Sequence, residues 1–318
     1  MRAVSSTDRV EPTAVVLGAS GFIGRNVCAT LSAEGWSVAA VVRRAADLPA
    51  GVRTIRLDAG RADTETLTAM LTAERPALVV NAAGTPWAVT DEQLTEGNVA
   101  LVARLVDAVA TLPDPVRLVH IGSAYEYGNH PGEERLAETL ECRPVGRYAQ
   151  SKLAGTTLIG EAVTAGRIDA VVLRISLCVG PYASSQSLLG GLAHQLAAGP
   201  PVLELPPIDG ERDIVDVRDV SDAVLCAVRA DKLPPVINIG AGAGVRLTDG
   251  VDTLMRIAGS TATIVRGPVP AVRRDRGVGA QPLDIELARK ELGWSPVHTL
   301  SDSLIALWDS IPRPAETH

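Results

Sequence analysis

Short apolar runs alternate with amphipathic helical stretches along the first 180 residues. Thr13 to Gly18 is an apolar run closed by glycine, and it leads into a helical pattern over Asn26 to Ala33. Trp36 to Val42, Val52 to Leu57, Ala77 to Asn81, Val116 to Ile121 and Ala170 to Ile175 repeat the signature of buried strands, aliphatic residues held between breakers. Between them, Thr64 to Ala73 reads as a helix. Asp91 to Ala110 reads as a longer one, with Leu94, Val102, Leu105, Val106 and Val109 at helical spacing. Regular alternation of strand and helix predicts an α/β fold with a parallel, doubly wound sheet and ligands at the carboxyl ends of its strands.

The rhythm changes beyond Gly180-Pro181. Ser187 to Ala198 is helical, then Gly199-Pro200-Pro201 and Pro206-Pro207 break the chain. A polar segment from Arg212 to Val220 runs into a helix ending near Ala230, Val236 to Gly240 reads as a short strand, and a last helical region spans Asp284 to Asp309. The expected organisation is a dinucleotide-binding domain over 1–180, with 213–240 returning to it, and a smaller C-terminal lobe from 181–212 and 241–318 that closes a substrate cleft.

Composition narrows the class without naming it. With 46% hydrophobic and 21% charged residues the chain is a folded globular protein rather than a disordered one. A net charge of −7 argues against general affinity for nucleic acid or an anionic membrane, so local arginines must hold any anionic ligand. No apolar run is long enough to span a bilayer and the first residues lack a signal-peptide core, which points to the cytoplasm. Cys28, Cys142, Cys178 and Cys226 lie far apart, as do the histidines, so no metal site is expected.

Two patterns carry chemistry. Gly18-x-x-Gly21-x-x-Gly24 sits between the first strand and the first helix, where glycines allow a tight turn, close backbone approach and a pyrophosphate at the helix N-terminus. The second strand ends in Arg43-Arg44, where an NAD site usually carries an acidic residue for the ribose 2′-hydroxyl. Arginine there suits a 2′-phosphate, which favours NADP(H), with NAD(H) the less favoured alternative. Asp58 ends the third strand, in reach of an adenine amino group, and Ala82-Ala83-Gly84 let a backbone lie against the cofactor.

The second pattern is Tyr148-x-x-x-Lys152. The chain has only three lysines and 4 tyrosines, and this spacing puts phenol and ammonium on one helix face. A nearby cation lowers the phenol's pKa and makes it a usable acid or base; on spacing alone, a surface pair reads equally well.

With these pieces the chain resembles the extended short-chain dehydrogenase/reductases, the nucleotide-sugar epimerase, dehydratase and reductase group. The likeness runs from Val15 to about Trp308 and also takes in Asn81-Ala82-Ala83-Gly84, Ser123, Arg212-Asp213 and Leu292-Gly293-Trp294-Ser295-Pro296. It implies a Rossmann-type sheet with a smaller C-terminal substrate-binding lobe. It further implies Tyr148 as acid/base, Lys152 as its pKa-lowering partner and ribose ligand, and Ser123 as donor to the substrate oxygen. The cofactor set it implies adds Ser20, Phe22, Ile23, Ala59, Asn98 and Ile175, and the substrate set is Ser123, Ala124, Tyr125, Arg212 and Arg274. A homodimer through the helices of Asn98 and Tyr148 is implied as well. Nucleotide-sugar dehydratases carry an Asp-Glu pair after the serine, and the GDP-fucose synthase type uses a cysteine nearby; this chain has Ala124-Tyr125. The run Gly122 to Gly128 looks most like NDP-4-keto-6-deoxysugar reductases. Alternatives are an epimerase that retains NAD, and a reductase of a non-sugar ketone, the latter suggested by Leu177 where the family often places a diphosphate-binding Asn.

Overall fold

The computed structural model describes residues 11–84, 90–208, 210–267 and 281–312. Arg274 lies outside the described residues. Seven parallel strands form the central sheet: β1 (Thr13–Leu17), β2 (Ser37–Val42), β3 (Arg53–Arg56), β4 (Leu78–Asn81), β5 (Arg117–Ser123), β6 (Asp169–Ile175) and β10 (Val236–Ile239). Their order is β10-β6-β5-β4-β1-β2-β3. The chain reverses its direction of growth at β1, which pairs with both β2 and β4. That reversal opens a crevice at the carboxyl ends of the strands, directly above the glycine turn.

The strands are continuous apolar runs because both faces of the sheet are covered. Ala14 and Val16 point into a layer with Val27, Cys28 and Leu31 of α1 (Phe22–Ala33) and Val220, Ala223 and Val224 of α7 (Val217–Arg229). Val15 and Leu17 point the other way, against Leu67 and Leu71 of α2 (Thr64–Glu74), Leu101 and Leu105 of α4 (Leu101–Ala110) and Ile159 of α5 (Arg147–Thr164). The edge strand β3 is short and mostly exposed, with Arg53 and Arg56 on it, a composition that discourages pairing with another chain.

The long helix expected over Asp91 to Ala110 is interrupted. It comprises α3 (Asp91–Thr95), a π-helical turn (Glu96–Ala100) and α4, and the wide turn carries Asn98. Gly155 of α5 packs so closely there that a Cβ would stand 2.5 Å from the Asn98 carbonyl oxygen.

A second core lies under β7 (Leu177–Val179), β9 (Glu211–Asp216) and β11 (Gly244–Arg246), which form their own sheet, together with the β8 (Val202–Leu205) and β12 (Thr263–Arg266) pair. Helices α6 (Leu188–Ala198), α8 (Leu247–Ile257) and α10 (Leu300–Asp309) complete it. The chain between these strands returns to the main sheet at β10, beside β6. Leu177 is half-buried and packs on this second core.

A second expected helix is also divided. The helical region from Asp284 to Asp309 is two helices, α9 (Glu286–Leu292) and α10. Gly293 ends α9 in a left-handed conformation, φ 61°, where a Cβ is costly. Trp294 then turns inward and its indole N–H donates to the Asp219 carbonyl at 2.9 Å. The motif Leu292 to Pro296 thus locks the C-terminal segment onto α7, helped by Asp219, which holds His298 Nδ1 at 2.7 Å.

Candidate active site

Gly18 adopts φ +74°, and a Cβ there would fall 2.6 Å from the Ala83 backbone nitrogen. The turn after β1 is therefore pressed against Ala82-Ala83 at the end of β4. Gly24 lets α1 sit on the same turn, since its Cβ would lie 2.3 Å from the Gly18 oxygen. Gly21 is different: its φ is −80° and it caps α1 with no side-chain hydrogen bond. No acidic residue occupies the first turn of that helix, so its N-terminal amides face the crevice without an internal anion. Such a terminus suits a diphosphate, and a nicotinamide dinucleotide fits this cradle. Ser20 is exposed, Phe22 and Ile23 are half-buried.

Arg43 and Arg44 follow β2 and are both exposed, without a hydrogen bond or ion pair among the described residues. Asp58 is half-buried, 4.0 Å from Arg61, and Ala59 is buried beside it. Gly84 lies against Asn98: a Cβ on it would meet the amide oxygen at 3.0 Å. Asn98 is itself buried and its Nδ2 donates to Ser151 Oγ at 3.0 Å, which donates to the Tyr148 carbonyl at 2.8 Å. The cofactor-side loop and the Tyr148 helix are thereby joined through one asparagine.

Ser123 ends β5, in register with Ile175 on β6. Its backbone N–H donates to Glu126 Oε1 at 2.8 Å, while its Oγ accepts from the Tyr125 N–H at 3.3 Å. Tyr148 is the second residue of α5. The Tyr125 ring meets it edge to face, with centroids 6.0 Å apart. Lys152, one turn on, is buried and donates to the Ile121 carbonyl at 2.7 Å. Burial pulls the Lys152 pKa down to about 8, with the charge of Glu126 opposing that fall. Ala124 is buried in the turn after Ser123. Arg212 stands apart on β9, its Nη1 donating to the Glu211 carbonyl at 2.7 Å.

Beneath these groups runs a polar network that the motifs did not announce. Glu126 is fully buried and pairs with Arg174 of β6 at 3.0 Å. The Arg174 guanidinium stacks 4.5 Å from the Tyr127 ring centroid, and the Tyr127 hydroxyl donates to Asn238 Oδ1 at 2.8 Å. Asn238 Nδ2 in turn donates to the Leu136 and Asp284 carbonyls. Asp213 accepts from the Ala241, Gly242 and Leu283 N–H groups, fastening β9 to the same segment. Ser-x-x-Glu spacing at Ser123 and Glu126 is a capping-box signature and could have flagged the glutamate. Nothing local in the sequence marks Arg174 or Asn238, whose partners are 48 and 111 residues away.

The model of the NAD dependent epimerase/dehydratase family matches residues 14–240. The chain belongs to this family. Among curated relatives, the dTDP-6-deoxy-L-talose 4-dehydrogenase (NAD(P)(+)) of Kitasatospora kifunensis is 41% identical over 92% of this chain and 93% of its own length. The GDP-6-deoxy-D-mannose reductase of Pseudomonas aeruginosa is 28% identical over 94% and 97%. Among solved structures, the UDP-glucose 4-epimerase of Thermus thermophilus in complex with NAD aligns with a TM-score of 0.82 at 25% identity, covering 94% of this chain and 98% of that one. Family membership makes this epimerase/dehydratase relative an NAD(P)-dependent oxidoreductase with a nicotinamide cofactor. Among the described residues no helix is long and apolar enough to cross a membrane, and no group of side chains could hold a metal ion.

Proposed function

We propose that the chain is an NADPH-dependent 4-ketoreductase of a dTDP-linked 4-keto-6-deoxyhexose, interconverting the C4 carbonyl and alcohol. The observation that carries this reading is a buried Lys152 one helical turn from Tyr148, beside a Ser123 that is followed by Ala124-Tyr125 instead of carboxylates. Water elimination needs acidic and basic side chains at those two positions, whereas carbonyl reduction needs only a proton donor. Tyr148 gives its proton to the carbonyl oxygen, Ser123 Oγ donates a hydrogen bond to that oxygen, and the Lys152 ammonium stabilises the phenolate left behind. Bound nicotinamide supplies the hydride to the carbonyl carbon. The relative at 41% identity, a dTDP-deoxysugar 4-dehydrogenase, supports both the C4 position and the dTDP carrier.

Arg43 and Arg44 are the candidate ligands of a 2′-phosphate, and Arg212 and Arg274 those of the substrate diphosphate. Residues 1–180, with 213–240 returning to them, form the cofactor domain, and 181–212 with 241–318 form the substrate lobe. A groove along α5 lined by Val99, Leu153, Ala154 and Leu158 supports a homodimer through the helices of Asn98 and Tyr148. The structural match to an NAD-bound epimerase favours, as a second reading, an epimerase that keeps its cofactor.

The deciding assay is NADPH oxidation against dTDP-, GDP- and UDP-4-keto-6-deoxysugars, with Tyr148→Phe alongside. Turnover of the dTDP substrate that Tyr148→Phe lowers by about a thousand-fold is expected, in the range of a lost acid catalyst. Unchanged turnover in Tyr148→Phe refutes the assignment. Copurified NAD with sugar interconversion and no need for added reductant establishes the epimerase instead.

A further inference from the structure

We propose that His120 is a positioning residue for Lys152: the Nε2 lone pair of a neutral imidazole accepts from the ammonium and, with the Ile121 carbonyl, fixes where that cation stands. The inference rests on the reading of Tyr148 and Lys152 as a proton-transfer pair. Lys152 Nζ lies 2.7 Å from the Ile121 oxygen and 3.4 Å from His120 Nε2, so consecutive residues of β5 supply both acceptors. An ammonium can only donate, so Nε2 must be unprotonated and the ring proton must sit on Nδ1.

Both side chains are almost fully buried, His120 at 1% exposure and Lys152 at 5%. Nδ1 has no partner among the described residues. An aliphatic residue would fill this core position at lower cost, because a buried imidazole with an unpaired nitrogen is penalised. What the imidazole offers and a hydrocarbon cannot is an acceptor aimed at Lys152.

The surroundings keep the ring neutral. Burial, then the Lys152 charge, hold the His120 pKa well below its ordinary value. The charged groups acting on the pair are Lys152 from α5 and Glu126 from the turn after β5. To either side of His120, β4 places Asn81 and β6 places Val172, neither of which ionises. Arg147, paired with Asp91, and Tyr148 are the other titratable groups that α5 brings to this end of the sheet. Removing the Nε2 acceptor leaves the ammonium with one fewer bond, so Lys152 loses its proton at lower pH and the phenolate loses its cation.

The scarcity of lysine makes this directly measurable, since only Lys152, Lys232 and Lys290 give side-chain signals. The full chain is labelled with 13Cε-lysine, Lys152 is assigned through Lys152→Arg, and its signal is titrated by NMR in the wild type, His120→Phe and His120→Gln. The Lys152 midpoint is expected to fall by roughly half a unit to one unit in His120→Phe, the size of one long hydrogen bond to a charge. It stays near the wild-type value in His120→Gln, whose amide oxygen reaches the Nε2 position. The basic limb of kcat/KM moves with the midpoint while KM for NADPH holds within about two-fold. A His120→Phe midpoint equal to wild type, or equal falls in both variants, overturns the proposal. Should His120→Phe fail to fold, His120→Met against His120→Gln makes the same comparison between side chains of similar size. Turnover of Tyr148→Phe tests the underlying reading separately, because the Lys152 titration does not depend on it.

Discussion

Breaking the ion pair beneath the serine should cost this protein more stability than any exposed pair on its surface. Glu126 is 0% exposed and the Arg174 side chain 4%, and two guanidinium nitrogens lie 3.0 Å from Glu126 Oε2. Arg174→Met strands a carboxylate whose only other hydrogen bond among the described residues is to the Ser123 N–H. Removing one partner of a buried pair costs about 3–5 kcal/mol, because the remaining charge is left without compensation. Glu126→Gln keeps the bond to Ser123 through its amide oxygen but strands Arg174, at a similar cost. The double variant Glu126→Gln with Arg174→Met buries no charge and keeps the Ser123 bond, so its loss should be only about 1–2 kcal/mol. Urea unfolding followed by tryptophan fluorescence measures the cycle, and the expected coupling is about 3 kcal/mol or more. The Glu126 charge also helps hold the Lys152 proton, so the basic limb of kcat/KM should move to lower pH in Glu126→Gln. Single variants that each lose less than about 1 kcal/mol, or a double variant no more stable than the sum of the singles, refute the account.

Lys152→Met should abolish turnover yet stabilise the fold at pH 7. The folded-state pKa of about 8 lies below the ordinary 10.5, so burying the charged form costs up to about 3 kcal/mol below pH 8. Between about pH 8 and 10.5 the unfolded chain holds the extra proton, wild-type stability rises with pH, and the gain from methionine fades; urea midpoints across that range check the sign. Gly18→Ala should lower stability by at least about 2 kcal/mol and abolish NADPH binding, read by unfolding and cofactor fluorescence, because the position combines φ +74° with a 2.6 Å overlap on Ala83. Arg43→Ala with Arg44→Ala should raise KM for NADPH about ten-fold or more and leave KM for NADH nearly unchanged; equal effects on both would remove these arginines from a 2′-phosphate site. Sedimentation at micromolar concentration should give a dimer, and Leu153→Glu together with Leu158→Glu should give a monomer.

The order of the central strands' and helices' apolar patterns along the chain determined most of this architecture. Buried parallel strands read as continuous aliphatic runs, and a glycine turn between strand and helix needs no distant partner to be recognised. The Tyr148-Lys152 pair was equally legible, because i and i+4 share a helix face whatever surrounds them. The break at Gly293 has a local cause as well, a glycine followed by Pro296 being a helix stop, and the fold added the docking of Trp294 on α7. The π-helical turn at Asn98 is also tertiary in origin, formed where Gly155 lets α5 press onto that carbonyl. His120, Arg174 and Asn238 gained their roles only on folding. Each is an isolated polar residue in the sequence, and its environment comes from strands and turns brought together across the sheet. Sequence supplied the groups that do chemistry; burial, which sets the Lys152 pKa and gives the ion pair its weight, is a property of the packed sheet and helices alone.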